Sequence, residues 1–372
     1  MKLYNSMMHI KEPFCPADGE PVKIFSDVPF ANRIVHIGEL RQFIVSDVLR
    51  RALRYSGYRV KDVVSIPDAE KSDETSFYVK IFFDNLKKLN IPMPEITAYT
   101  SEAEAETAES FAELLKKGSA YETREGVYLD TEPFKQYGKM LRTGFVKPFE
   151  AEEKVFKKNP SDFALFEKSY GFEGGESPWG RGTFAGFAEC SFVAKKYLGE
   201  VYDIRLGSVD RIPQHECELT FGQALSGHVP ANVWMHTEIM QTDSTKAKNT
   251  YTLSDVIEKG CEPMLFRYFC LNSHYRKKLN FTFEVVNIAR ISYDRLFEHL
   301  SAHRLSSNYD KPAADEFLNA FRLAVEDDLN MPMALSVLFS MAKSGGNSAF
   351  YEAALEMDKV FGLEIRKGCE KN

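Results

Sequence analysis

Between Val22 and Ile66 the chain reads as strand, loop, helix, strand, and this succession constrains the fold more than any other stretch. Val22-Lys23-Ile24-Phe25 is a short apolar run with strand character. From Gly38 to Gly57 the spacing becomes helical, with Leu40, Phe43, Val45, Val48 and Leu49 forming an apolar stripe. Tyr58-Arg59-Val60 and Val63-Val64-Ser65-Ile66 return to the strand pattern. Two strands joined through a helix make a βαβ unit, which favours a parallel sheet with ligands at its carboxyl ends. The predicted class is α/β.

The texture changes over residues 94–186. An acidic helix (Ser101 to Lys117) precedes a strand candidate at Gly126-Val127-Tyr128-Leu129. Charged helical and loop sequence then runs to a Gly/Pro-rich stretch, Gly171 to Gly182. This reads as an insertion between two halves of a sheet domain. The α/β rhythm resumes with a helix from Phe187 to Leu198, a strand at Val201-Tyr202-Asp203-Ile204 and a helix from Pro213. Beyond about Leu253 the pattern is helical, with amphipathic stretches at Phe281–His299 and Ala313–Val325. The expected division is residues 1–93 and 187–255 as the two halves of the catalytic sheet, 94–186 as the insertion, and 256–372 as a helical bundle.

A net charge of -7 argues against affinity drawn from a broad basic face on nucleic acid. No run of about 18 apolar residues spans a membrane, and the opening Met1-Lys2-Leu3-Tyr4-Asn5 lacks the apolar core of a secretory signal. A cytoplasmic location is expected, as monomer or dimer. The six cysteines (Cys15, Cys190, Cys217, Cys261, Cys270, Cys369) contain no CxxC pair and read as buried or incidental thiols.

Val35-His36-Ile37-Gly38-Glu39 stands where a strand-end loop enters a helix, a natural anion site. Taken in order with other segments it resembles cysteinyl-tRNA synthetase, a class I synthetase. Ile37-Gly38, Asp47-Val48-Leu49-Arg50-Arg51 and Tyr55-Ser56-Gly57-Tyr58 look like that family's HIGH loop and following helix. Lys158-Asn159-Pro160-Ser161-Asp162-Phe163, Ser177-Pro178-Trp179-Gly180 with Glu189-Cys190-Ser191, and Trp234-Met235-His236 match next. Ser273-His274-Tyr275-Arg276 with Leu279-Asn280, then Asp327-Asp328-Leu329-Asn330-Met331-Pro332, complete the series. The resemblance runs from Tyr4 to about Ala342. It implies a Rossmann-type parallel sheet with an inserted α/β subdomain and a C-terminal helical bundle, and an ATP- and Mg²⁺-dependent adenylation of a carboxylate.

Such a reaction asks the protein for positioning and for stabilisation of charge on phosphorus. The resemblance assigns that work to His36, Gly38, Glu39, Gly207, Asp210 and Met240 as ATP-binding residues, and to His36, Lys246 and Lys248 as catalytic ones. Departures are plain. Glu39 replaces the second histidine of HIGH, and a carboxylate facing phosphate needs Mg²⁺ or a lysine between them. The KMSKS signature is gone from Thr237 to Asn249, so Lys246 and Lys248 read either as phosphate ligands or as solvated loop lysines. The glycine-rich nucleotide loop is eroded to Asp203-Ile204-Arg205-Leu206-Gly207-Ser208-Val209-Asp210.

The family reads cysteine through a Zn²⁺ held by two Cys, a His and a Glu. The corresponding positions here are Asp27, Cys190, Gln214 and Glu218, with Gln214 and Glu218 on one helix face. Gln is a poor zinc ligand, so zinc is not expected. A rearranged site using His215 and Cys217 is the alternative. Without metal, Asp27 and Glu218 suggest a pocket for an ammonium or guanidinium, or else drift. Phe30, Phe187 and Trp234 complete the expected pocket. The chain stops at Asn372, a short way past Asp327-Asp328-Leu329-Asn330, so an anticodon module is expected to be absent and full tRNA recognition doubtful. The expected function is a ligase that adenylates an amino acid other than cysteine and transfers it to a small-molecule, carrier or peptide amine. The alternative is a catalytically silent paralogue with a binding or regulatory role.

Overall fold

The structure, a computed structural model, describes residues 1–16, 19–28, 32–68, 73–141, 156–171, 174–242 and 251–371. The chain opens with an antiparallel hairpin, β1 (Lys2–Asn5) and β2 (Ile10–Pro13). Then come β3 (Val22–Asp27), α1 (Ile37–Tyr55), β4 (Val60–Ile66), α2 (Asp73–Lys88) and β5 (Ile96–Tyr99). The insertion holds α3 (Glu104–Lys117) and the strands β6 (Ala120–Glu122), β7 (Gly126–Leu129), β8 (Phe163–Lys168), β9 (Gly175–Ser177) and β10 (Gly180–Phe184). α4 (Gly186–Leu198), β11 (Tyr202–Ser208), α5 (Ile212–Ser226) and β12 (Ala231–Thr237) return to the α/β unit. β13 (Met240–Thr242) pairs in parallel with β14 (Leu279–Phe281). The helices α6 (Leu253–Glu258), α7 (Pro263–Leu271), α8 (Phe283–Arg304), α9 (Lys311–Glu326), α10 (Met331–Ala342), α11 (Ser348–Phe361) and α12 (Ile365–Lys371) make up the rest.

The central sheet has the order β12-β11-β3-β4-β5, every pair parallel. The βαβ reading from Val22 to Ile66 is therefore realised as β3, α1 and β4. From β3 the chain builds outward to β5, then returns after the insertion to lay β11 on the other side of β3. The reversal places a crevice between the carboxyl ends of β3 and β11, where open α/β sheets hold their ligands. Register does the rest: Arg205 stands opposite Phe25 and Leu206 opposite Ser26, so the end of β11 faces Asp27.

Both faces of the sheet are covered, as parallel strands require. One face carries Val22, Ile24, Leu40, Leu49 and Phe82 in a core that continues through Leu265, Phe266 and Leu338 into the bundle. The other packs Phe25, Val63, Cys190, Val193 and Trp234 beneath α4. β5 begins beyond the expected boundary at residue 93, because Ile96–Tyr99 pairs with β4 and stays with the first half of the sheet.

The insertion departs further from the sequence expectation. Three of its strands lie in the stretch from 163 to 184 read as helix and loop, in an antiparallel sheet of order β6-β7-β8-β10-β9. β9 and β10 are short, and their glycines hide the strand pattern. Gly182 is one that the pairing needs, since a Cβ there would lie 2.1 Å from the Glu167 carbonyl oxygen.

Candidate active site

The sequence of α1 begins with its own cap. His36 is the N-cap; its Nδ1 accepts from the Glu39 amide at 3.3 Å, and Glu39 Oε2 accepts from the His36 amide at 2.9 Å. Arg33 then grips the Glu39 carboxylate with both terminal nitrogens, at 2.9 and 2.6 Å. This corrects the expectation for Glu39. Its carboxylate is neither open to phosphate nor in need of Mg²⁺, being spent on the helix cap and on Arg33. Burial lowers the pKa of His36, with Arg33 adding to that and Glu39 and Asp210 opposing it, so the ring is neutral near pH 7. Because Nδ1 accepts, the neutral ring carries its proton on Nε2.

Two further contacts bring the rest of the nucleotide end together. The Ile37 amide donates to the Tyr251 carbonyl at 2.9 Å, and His36 bridges Thr252. Met240 lies against Gly38, where an added Cβ would come within 3.7 Å of its own. Residues 242 and 251 thus bracket the segment holding Lys246 and Lys248, both of which lie outside the described residues, as does Phe30. Arg41, fully buried, donates to the carbonyls of Glu238, Ile239, His274 and Lys277 at 2.7–3.3 Å, fixing the start of that segment against α1.

Deeper in the crevice stands the feature that decides the chemistry. Arg205 is 1% exposed and makes a fork on Glu218, Nε at 2.9 Å and Nη2 at 2.9 Å. Its Nη2 also reaches Asp27 Oδ1 at 2.6 Å, and its Nη1 donates to the Leu206 carbonyl. Tyr202 donates to Glu218 at 3.3 Å, and the guanidinium lies 4.8 Å over the Phe25 ring. Burial works against each charge, but the partners outweigh it. Asp27 is held well below the usual carboxylate range and Arg205 well above its own. Arg211, at the N-cap of α5, adds a second guanidinium 3.3 Å from Asp27 Oδ2.

These residues do not fit zinc. Asp27 and Glu218 share a resident guanidinium, and Gln214 offers only a neutral amide. Burial, followed by Asp27 and Glu218, pushes the Cys190 thiol up, so it keeps its proton. Among the described residues no three His, Cys, Asp or Glu side chains form a metal-holding group. The expectation that Asp27 and Glu218 await a cation from a substrate is corrected too: the cation is Arg205.

His215 does not turn to a metal either. Its Nδ1 lies 2.9 Å from His236 Nε2, and burial lowers the pKa of both rings. A Cβ on Gly207 would fall 2.3 Å from His215 Cε1, so the space on that side of Gly207 is taken by this imidazole. Trp234, with no exposed surface, backs His215 at 5.7 Å between ring centres. Cys217 is buried, in the cluster below the insertion. Phe187 packs there as well, on Phe163 and Phe221, and shares that wall with α5. Gln214 and Glu218 do share a face of α5, Glu218 on Arg205 and Gln214 with its Oε1 buried and unpartnered.

The sequence reading missed Arg33, Arg41, Arg205 and Arg211. An arginine in the middle of an apolar strand, as in Ile204-Arg205-Leu206, was the available signal, because a buried guanidinium demands carboxylates.

Comparison with known proteins agrees with this architecture. Residues 13–291 match the family described as tRNA synthetases class I (C) catalytic domain. The cysteine–tRNA ligase of Clostridioides difficile (strain 630) is 32% identical over 394 residues, covering 96% of this chain and 84% of the relative. That of Brachyspira hyodysenteriae is 31% identical, covering 93% and 80%. Among solved structures, Mycobacterium tuberculosis methionyl-tRNA synthetase in complex with methionyl-adenylate superposes with a TM-score of 0.68 at 13% identity, over 94% of this chain and 93% of that one. A parallel sheet switching direction at β3 and β11, a HIG-type helix entry at His36 and a match over most of the chain make this protein a member of the class I tRNA synthetase family represented by the cysteine–tRNA ligases.

Proposed function

We propose that this protein is an ATP-dependent ligase that adenylates an amino acid other than cysteine and passes it to an amine on a small molecule, carrier or peptide. The observation that carries this reading is Arg205 bridging Asp27 and Glu218. A thiolate is read by a soft metal, and a guanidinium whose N–H edges are held by Glu218 and Asp27 offers no such readout. The geometry at α1 supports retained activation chemistry. His36 presents a neutral Nε2–H at a helix entry, an arrangement suited to a phosphoryl oxygen of ATP bound with its Mg²⁺. Lys246 and Lys248, which lie outside the described residues, complete the proposed charge stabilisation, with Asp210 as a further proposed ATP-binding residue.

ATP–pyrophosphate exchange across the standard amino acids tests the proposal, with metal analysis of the same preparation. Exchange with an amino acid other than cysteine, unchanged by chelator or added zinc, is the expected result. Exchange restricted to cysteine, with stoichiometric zinc, would overturn it. Silence with every amino acid would favour the second reading, a non-catalytic relative; what favours that reading now is the Glu39 carboxylate occupying the cap at the entry to α1.

A further inference from the structure

Nine buried side-chain nitrogen or oxygen atoms lack a hydrogen-bond partner among the described residues, and five of them sit at one place: Arg211 Nε, Gln214 Oε1, His215 Nε2, His236 Nδ1 and Thr237 Oγ1. They lie at the start of α5 and the end of β12, around the crevice. Folded proteins rarely leave such groups unpaired, since each costs about 1–3 kcal/mol. A concentration of them in a crevice marks where a ligand supplies the missing partners.

Their chemistry narrows that ligand. Arg211 Nε is a donor and Gln214 Oε1 an acceptor. The two residues lie i,i+3, and Glu218 follows Gln214 on the same face, with Arg211 set on Asp27 and Glu218 on Arg205. The histidine pair adds an acceptor: His215 Nε2 faces Asp27 Oδ1 at 3.9 Å, so with its proton there Nδ1 accepts from His236 Nε2 at 2.9 Å and His236 Nδ1 keeps a free lone pair. Net charge at the base is balanced, with Arg205 and Arg211 against Asp27 and Glu218. An incoming ammonium meets Arg211 alongside Asp27; an incoming carboxylate meets Asp27 alongside Arg211. Neither gains an unopposed partner.

We infer that this pocket selects an uncharged side chain that both donates and accepts hydrogen bonds, a carboxamide or a hydroxyl, seated between Arg211 and Gln214. This rests on the ligase reading for its turnover but not for its binding. A site built from buried unpaired donors and acceptors discriminates strongly against analogues that leave them unpaired. Substrates that match therefore exceed their charged or apolar counterparts by about 100-fold or more in kcat/KM.

The test has two arms. In the first, exchange is measured for Asn against Asp, Gln against Glu, Ser and Thr against Ala and Val, with Lys and Cys as further comparisons. In the second, thermal shifts are read with the non-hydrolysable sulfamoyl adenosines of Asn, Ser, Asp and Lys, which report binding without turnover. Expected is preference for the amide or the hydroxyl series in both arms, and the leading member identifies which. Arg211→Met and Gln214→Met, checked for native circular dichroism, then raise KM for that substrate about 10-fold or more while a conservative Arg211→Lys recovers part of the loss. Preference for Asp, Lys or an apolar residue overturns the inference and leaves the ligase reading standing. Selective binding without exchange keeps the inference and overturns the ligase reading. Equal losses for every amino acid in the two variants also overturn it, assigning Arg211 and Gln214 to the common amino-acid backbone.

Discussion

Arg205 has two buried carboxylates as partners, and each of them depends on it more than it depends on either. Among the described residues, replacing it by Met leaves Asp27 with Arg211 and His215, and Glu218 with the Tyr202 hydroxyl. Breaking a buried ion cluster by removing one partner costs about 3–5 kcal/mol, because the remaining charge is uncompensated. Arg205→Met is therefore expected to lower unfolding stability by that amount in urea, and the triple change Asp27→Asn, Arg205→Met, Glu218→Gln to restore most of it. The same site sets a pH profile. Asp27 ionises well below the unfolded carboxyl value of about 3.9, so its contribution is complete above about pH 4 and is lost as pH falls through the folded value. His215 and His236 are lowered by burial below the unfolded value of about 6.5, so the unfolded chain takes up protons first, and stability drops as pH falls below about 6.5. Urea midpoints measured from about pH 8 to about pH 2 are expected to fall in two limbs, and His236→Gln should flatten the first. The same fall in the parent and in His236→Gln between about pH 7 and about pH 5 would show that the His236 ring does not titrate on unfolding.

Secondary-structure elements show why some of this was readable in the chain and some was not. The sequence from Val22 to Ile66 displays its strands and helix because each keeps one period, and the resemblance locates Asp27, Cys190, Gln214 and Glu218 because they sit in quoted motifs. What joins them is register. That Arg205 arrives beside Asp27 follows from β11 pairing with β3, two strands separated by the whole insertion, and no local pattern states that pairing. The strands of the insertion fail for another reason: β9 and β10 are rich in glycine and carry almost no apolar alternation. Gly207 illustrates an element-level demand, because β11 and α5 meet there with an imidazole where a side chain would be. Gly207→Ala places a methyl group 2.3 Å from His215 Cε1. Overpacking of this kind costs about 1–3 kcal/mol. The double change Gly207→Ala, His215→Ala should recover part of that cost relative to the sum of the single changes, as expected for groups in contact. Additive costs would place the strain elsewhere.

At the level of the molecule, the sheet and the helices after β14 are bound by charged side chains as well as by a shared core. Arg267 of α7, with no exposed surface, donates to Asp47 of α1 at 2.5 Å, to the Phe361 carbonyl at the end of α11 at 2.7 Å, and to the Leu89 carbonyl at 3.0 Å. Asp47 is further bound by Arg51 at 2.8 Å. On the other side Asp328 accepts from the Tyr4 amide, the Tyr275 hydroxyl and Arg276 Nε, tying the first strand to the junction of α9 and α10. A core cluster runs without interruption from Val22 and Ile24 to Val360 and Phe361. Elements connected this way cannot separate without exposing both a buried charge and a large apolar face, so sheet and bundle should unfold as one unit. The two tryptophans, Trp179 and Trp234, both lie outside the bundle, whereas much of the helix signal in far-ultraviolet circular dichroism comes from within it. The tryptophan-fluorescence and circular-dichroism transitions in urea should therefore coincide. Arg267→Met should move both together, by up to about 3–5 kcal/mol, because it removes a fully buried partner of Asp47 that Arg50 and Arg51 only partly replace. Were the fluorescence transition to stay in place while the helix signal moved, the bundle would be an independent unit resting on the sheet, and Arg267 a clamp between two domains.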